Sequence, residues 1–373
     1  MRKAYGIIAV TLAASCVFAA GCSGCNNNNK NVAPLASNWY TYTGYRNIQP
    51  TFIEGETELE YKEKITYDVN FKKPSVGNDT YSVEYKEGLY STEFYAKKFD
   101  TSESSALIHA KHKSGYEGKN IISYCYSTKF TAKITYKYGK DSKDFDADIS
   151  TECYFLSVED ELRPLYAKEV VKSPAPAVFQ ATSLASSYVV YDEIYENFYT
   201  YNGKSVITKI TDNIDAKKSK ELSARNVGGT SNSLFDLTSL EIVLRALIGS
   251  SFSQKIELYT PLNAIKSFTL SSPDTSIGTD DEKADIAGKL KDKGLYVPVM
   301  NGDKEVGLQT KAVTVTSNTQ LHGVSQTYWF AKVENKRNNV GRATLLKIST
   351  PLVFNLGTLE YTLKEVSSTL WDK

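Results

Sequence analysis

Residues 234–249 read LFDLTSLEIVLRALIG, and their spacing decides how the rest of the chain is read. Leu237, Leu240, Val243, Leu244, Leu247 and Ile248 recur at steps of three and four, which places them on one apolar stripe of a helix. Asp236 or Thr238 can cap its start. Thr238 and Glu241 have the spacing of a capping box, Arg245 suits the negative end of the helix dipole, and Gly249 can close the last turn. A helix of about four turns with such a stripe needs a cover, because burial of that face is what holds a helix of this length together. The cover is either a closed core or the wall of a hydrophobic cavity. In the second case Leu237, Leu240, Val243, Leu244 and Leu247 line the ligand space.

Around this helix the chain reads as β-strand. Leu59, Tyr61, Ile65, Tyr67, Val69 and Phe71 fall on odd positions while lysines, acids, Thr66 and Asn70 fill the even ones, the pattern of a long strand with one wet face. Tyr81, Val83 and Tyr85 alternate again. The apolar phase then shifts at Glu87-Gly88 to Tyr90 and Phe94, so a hairpin or a bulge is expected there. Residues 119–138 place Ile122, Tyr124, Tyr126, Phe130, Ala132, Ile134, Tyr136 and Tyr138 on one face. The chain turns at 139–144, and 149–158 return. A register centred on Gly139 sets Cys125 opposite Cys153. A cross-strand disulfide then fits the geometry, and two unbonded thiols fit the sequence equally well.

Pro164, Pro174 and Pro176 mark residues 163–177 as a connection or an edge. Asn202-Gly203, between an aromatic strand at 188–201 and KSVITKI, signals a tight hairpin. A polar loop from 217 to 233 leads to the helix. Strands follow at 254–260, 264–271, 311–317, 324–334, 342–349 and 358–366. TDDEKADIAGKLKDK, residues 279–293, reads as a short surface helix capped by Thr279 with acids first and lysines last. The expected fold class is mainly β (α+β). It is a large curved antiparallel sheet or open half-barrel, packed on the 234–249 helix, with a second short helix at 280–292.

The N-terminus carries Arg2 and Lys3, then the apolar run 7–20, which is laid out as a secretory signal and is short for a membrane span. Ala19-Ala20-Gly21-Cys22 resembles the lipobox of bacterial lipoproteins, although Ala19 stands where leucine is usual. That resemblance implies lipidation at Cys22; Cys16, after Ala13-Ala14-Ser15, would give an unusually short signal. SGCNNNNKNV, residues 23–32, reads as a flexible tether. The domain plan is therefore a signal at 1–21, a tether at 22–37 and one β-rich body at 38–371, with division into 38–170 and 178–371 as the alternative. The body would sit on the extracytoplasmic face of a cell membrane, held by lipid.

The C-terminal layout carries a further resemblance. An Asp-Leu-Thr-Ser-Leu helix start at 236–240 precedes a strand pair, then Gln326-Thr327-Tyr328-Trp329-Phe330-Ala331, a polar turn, Arg342 to Ile348, and Gly357-Thr358-Leu359-Glu360-Tyr361-Thr362-Leu363. This is similar to a family of uncharacterised envelope proteins whose expected fold is the open half-barrel of lipoprotein carriers and receptors. It covers residues 234–366, interrupted at 272–310. It implies a binding module for lipid, acyl chains or a lipoprotein rather than a catalyst.

Composition narrows the rest. Lys plus Arg is 44 against 43 for Asp plus Glu, with no basic block, so nucleic acid is not an expected partner. The 26 tyrosines against 3 histidines suit half-exposed strands and leave little catalytic or metal-binding chemistry. His109 and His112, three apart, point to opposite faces of a strand and lack a third ligand. His322 has no serine elbow or orienting acid nearby. Asp280, Asp281, Glu282 and Asp285 miss the calcium-loop spacing. Asp144, Asp146 and Asp148 share one face of a strand and would bind a divalent ion weakly at most. No phosphate-cradling glycine loop is present. The expectation is no enzyme, no cofactor and no metal. A hydrophobic-ligand module is expected, with a structural or adhesive surface protein, contacting glycan or protein through a tyrosine-rich sheet, as the alternative.

Overall fold

The computed structural model describes residues 58–75, 80–99, 104–119, 121–158, 161–177, 181–227, 235–247, 253–260, 264–293, 300–301, 304–305, 307–317, 325–331 and 343–368. The expected signal peptide, Cys22, the tether, the strand at 39–48 and His322 lie outside the described residues.

The strands are β1 (Glu58–Lys72), β2 (Tyr81–Phe99), β3 (Ile121–Tyr138), β4 (Asp141–Val158), β5 (Glu161–Pro176), β6 (Tyr188–Tyr199), β7 (Ser205–Asp212), β8 (Lys220–Glu221) and β9 (Arg225–Asn226). They continue as β10 (Phe235–Asp236), β11 (Ser253–Thr260), β12 (Ala264–Ser271), β13 (Met300–Asn301), β14 (Lys304–Glu305), β15 (Thr310–Ser317), β16 (Ser325–Ala331), β17 (Leu345–Pro351) and β18 (Thr358–Ser368). Strands β13 and β14 form a separate pair. The rest make one 16-stranded sheet in the order β10-β11-β12-β15-β16-β17-β18-β1-β2-β3-β4-β5-β6-β7-β8, with β9 also on β7. The first and last long strands meet mid-sheet, with Ile65 opposite Val366. From that joint the N-terminal half meanders one way. The chain then crosses through β10 and the helix to the far edge and meanders back. Every neighbouring pair is antiparallel except β10 on β11.

The period-two patterns choose the inner face. Ile65, Tyr67 and Val69 of β1 are buried, as are Tyr124, Tyr126, Phe130, Ala132, Ile134 and Tyr136 of β3. The phase shift in β2 is a bulge, with the register slipping between Lys86 and Leu89 and Glu87 at φ 52°. Gly88 is needed there because a Cβ would stand 2.7 Å from the Val69 carbonyl oxygen. Asn202-Gly203 does turn β6 into β7, with Gly203 at φ 67°. Thr279 and Glu282 form the capping box of the helix Asp280–Lys291.

Four readings are corrected. The 234–249 segment is not one four-turn helix. Phe235–Asp236 is a strand, Leu237–Ser239 a 3-10 turn and Leu240–Leu247 the helix. Asp236 caps the turn by accepting from the Thr238 amide at 3.0 Å, whereas Glu241 turns away to the sheet, so the Thr238–Glu241 box does not form. The proline stretch is not a connection but strand β5, paired to both β4 and β6. Pro164 sits at the Tyr154/Phe155 register shift. Pro174 and Pro176 lie past the last β4 pair, Asp148 opposite Lys172, where no second ladder needs their missing N–H. The loop at 217–233 begins in the 3-10 turn Ala216–Lys218 and goes on through the short strands β8 and β9.

The disulfide register is also off by one. A two-residue turn at Gly139-Lys140 pairs Tyr138 with Asp141, so Cys125 faces Tyr154 and Cys153 faces Tyr126. A one-residue slip sends the two sulfurs to opposite faces of the sheet, and both cysteines are buried free thiols.

Candidate functional site in the interior of the sheet

The inner face closes around the helical segment through side chains, not through a backbone ladder. Tyr259 of β11 and Thr208 of β7 stand 2.8 Å apart, hydroxyl to hydroxyl, and the Tyr259 ring lies edge-on to Tyr199 of β6, centroids 6.0 Å apart. Between these strands sits Asp236, fully buried. Its Oδ1 accepts from the Thr238 amide and hydroxyl at 3.0 and 2.9 Å. Its Oδ2 accepts from Asn197 Nδ2 and the Tyr199 hydroxyl, both at 2.7 Å. Burial pushes the Asp236 carboxyl up, and these four donors pull it back. Phe235 beside it packs on Phe155 of β4, centroids 6.1 Å apart.

The helix itself is wrapped on all sides. Leu237, Leu240, Val243 and Leu244, expected to line a ligand space, are 2, 2, 0 and 0% exposed. Leu247 is the last described residue of the helix, and its side chain, with Ile248 and Gly249, lies outside the described residues. The stripe is therefore covered in this state. The opposite side is covered as well, although it carries two charged groups. Glu241 accepts from the Tyr90 hydroxyl at 2.8 Å and from the Tyr126 hydroxyl. Burial pushes its carboxyl up to about 7, against the pull of those two phenols. One turn on, Arg245 makes a two-pronged pair with Glu63 of β1, with Nη2 to Oε2 at 3.0 Å; both residues are under 5% exposed. Arg245 thus neutralises a buried acid rather than the helix dipole alone.

Across the inner face runs a row set by register: Thr92 on β2, Thr128 on β3, Thr151 on β4, Glu169 on β5 and Tyr195 on β6. All five are buried. The Thr128 and Thr151 hydroxyls bond each other at 2.7 Å. Glu169 ends this lane of small side chains. Burial pushes its carboxyl up to about 8, and the nearby Asp236 and Glu193 charges add to the rise. Glu193, itself pushed up by burial, accepts from the Tyr195 hydroxyl.

The remaining candidates do not converge here. His109 caps the 3-10 turn Ala110–Tyr116 and pairs with Glu221 at 3.0 Å, while Lys111 reaches the same carboxylate at 2.6 Å. The His109 and His112 rings lie edge to face, 6.1 Å apart. Asp144 accepts from Thr135 at 2.7 Å and Asp148 lies 3.4 Å from Lys129, both on the outer face. Lys283 reaches Asp280 at 3.2 Å at the start of the second helix. Among the described residues no three His, Cys, Asp or Glu side chains converge as metal ligands, and no helix is long and apolar enough to cross a membrane.

Sequence reasoning missed Glu63, Glu169 and Glu241. The signal was present for two of them. Glu63 falls on the apolar phase of β1, between Tyr61 and Ile65. Glu169 falls on the inward phase of AKEVVK, because Lys168 and Lys172 need the wet face. A comparison with family models, characterised proteins and solved structures finds no match.

Proposed function

We propose that the chain is a non-catalytic binding module for a hydrophobic ligand, a lipid or a lipoprotein, held on the extracytoplasmic face of a membrane by lipid on Cys22. The observation that supports it is the closure of the sheet. A sheet of 16 strands is open as a ladder, and among the described residues its two ends meet through side chains, the polar contacts of Thr208, Tyr259, Asn197, Tyr199 and Asp236 beside the packing of Val206 and Val227. A neutral contact of this kind is worth about 1 kcal/mol and a hydrogen bond to a carboxylate about 1.5–3 kcal/mol, so the edges can part without breaking a ladder. Parting them uncovers the Leu237–Leu244 stripe, which is otherwise sealed. Apolar cover that comes and goes is what a carrier needs.

The test is transfer from vesicles. The Cys22→Ala protein, which on this reading leaves the membrane, is offered phosphatidylcholine vesicles containing a fluorescent acyl lipid and then separated from them. The reading expects labelled lipid to elute with the protein at about one per chain; protein eluting free of label overturns it.

A second reading is favoured by the outer face. Register lays Lys64, Glu93, Ser127, Glu152, Lys168, Glu196, Lys209 and Glu221 in one transverse row of mostly alternating charge, beside the half-buried Tyr95 and Tyr154. An aromatic and charged face of this kind suits contact with glycan or protein, as a structural or adhesive surface protein would need.

A further inference from the structure

Glu169 contributes nothing to the closure of the sheet. It is 2% exposed, and its Oε1 has no hydrogen-bond partner among the described residues. Its cross-strand neighbours are Thr151, whose hydroxyl is engaged with Thr128, and Tyr195, whose hydroxyl is given to Glu193. Asp236, on the segment that packs against β5, is an acceptor already filled by four donors. An unmade hydrogen bond on a buried acid costs about 1–3 kcal/mol. A valine or threonine in this place would continue the Thr92–Thr128–Thr151 row without that cost.

The surroundings define what would satisfy it. Glu193 and Asp236 add negative charge and no donor, so a positively charged donor suits the place better than a neutral hydroxyl, and a second anion does not suit it. A divalent metal needs several ligands gathered on one point, and among the described residues no three such side chains converge. An ammonium group brings its own three donors and needs only one carboxylate.

Resting on the ligand-binding reading above, we infer that Glu169 is the seat of the primary ammonium head of an amphiphile, admitted when β11 parts from β6 and β7. The acid then supplies the selectivity, and the apolar stripe supplies the bulk of the burial.

Three twelve-carbon probes test this on the full chain by calorimetry: dodecylamine, dodecanol and dodecanoate. The expected result is dodecylamine binding about tenfold or more tighter than dodecanol, the worth of a charge-assisted hydrogen bond, with the gap closed in Glu169→Gln. Equal affinity for all three probes, or a dodecylamine preference that survives Glu169→Gln, overturns the ammonium site while leaving the hydrophobic-ligand reading standing. Binding of none of the three overturns both. If Glu169→Gln does not fold, wild-type protein still decides. Dodecylamine binding at pH 7 measured in two buffers of different ionisation heat should show release of a proton from Glu169, and dodecanol should not. No proton release with the amine overturns the proposal.

Discussion

The Thr208 and Tyr259 hydroxyls, 2.8 Å apart, join two strands that stand at opposite ends of the sheet order. Strand β7 lies one place from one end and β11 one place from the other, so this contact brings the two ends of the open, curved sheet together. Asp236 reinforces it from inside with donors from β6 and from its own turn.

Loosening the closure should therefore show locally before it shows globally. Tyr259→Phe removes one hydroxyl and should cost about 1 kcal/mol in urea unfolding, whereas Asp236→Ala strands buried donors on Asn197 and Tyr199 and should cost roughly 2–4 kcal/mol. Hydrogen exchange should quicken at residues 253–260 in Tyr259→Phe while residues 124–136 stay protected. Uniform quickening would mean that the contact is no separate joint.

The Glu63–Arg245 pair makes a second, sharper prediction. Removing only one partner leaves an uncompensated buried charge, so Arg245→Met should cost about 3–5 kcal/mol. Replacing both, as Glu63→Leu with Arg245→Met, should recover most of that loss. Additive losses in denaturant melts would show that the two side chains are not coupled.

These charges show what the sequence could and could not disclose. The strand-and-helix pattern was legible because tyrosines and aliphatics alternate with lysines along β1 and β3. The shortened helix was not, because Asp236 can cap either a helix or the turn that it does cap. Glu241 reads as a capping-box partner and Arg245 as the complement to the helix dipole, and only the register of β1, β2 and β3 reveals Glu63, Tyr90 and Tyr126 waiting for them. The prolines concealed β5, and with it Glu169, because the register shift at Pro164 and the missing ladder at Pro174 are tertiary facts.

Buried carboxyls also set a pH dependence. A carboxyl raised on folding contributes stability that is complete below its ordinary value of 4.5 and is lost as pH climbs toward the folded one. Glu241, raised to about 7, and Glu169, raised to about 8, therefore make the protein melt at a higher temperature at pH 5 than at pH 8.5, most of the loss falling between 4.5 and 8. Glu169→Gln should flatten the upper part of that curve in thermal melts. A melting temperature that rises across this window would refute the account of both acids.

The register of β3 and β4 predicts the fate of the thiols. Burial pushes the Cys125 thiol up to about 12 and raises Cys153 as well, and the two face opposite sides of the sheet. Peptides containing Cys125 and Cys153 should be unmodified by iodoacetamide on the folded protein, and both should be alkylated after unfolding without reductant. A linked Cys125–Cys153 peptide would show the register to be wrong.

Native mass spectrometry of the protein purified from its host bears most directly on the proposed ligand binding. If the chain is the proposed carrier, it should show, besides any mass from the proposed anchor at Cys22, a non-covalent adduct of lipid mass that remains in gentle conditions and is lost on unfolding. Protein found only at its anchored mass, and unable to take up lipid when offered it, would contradict it.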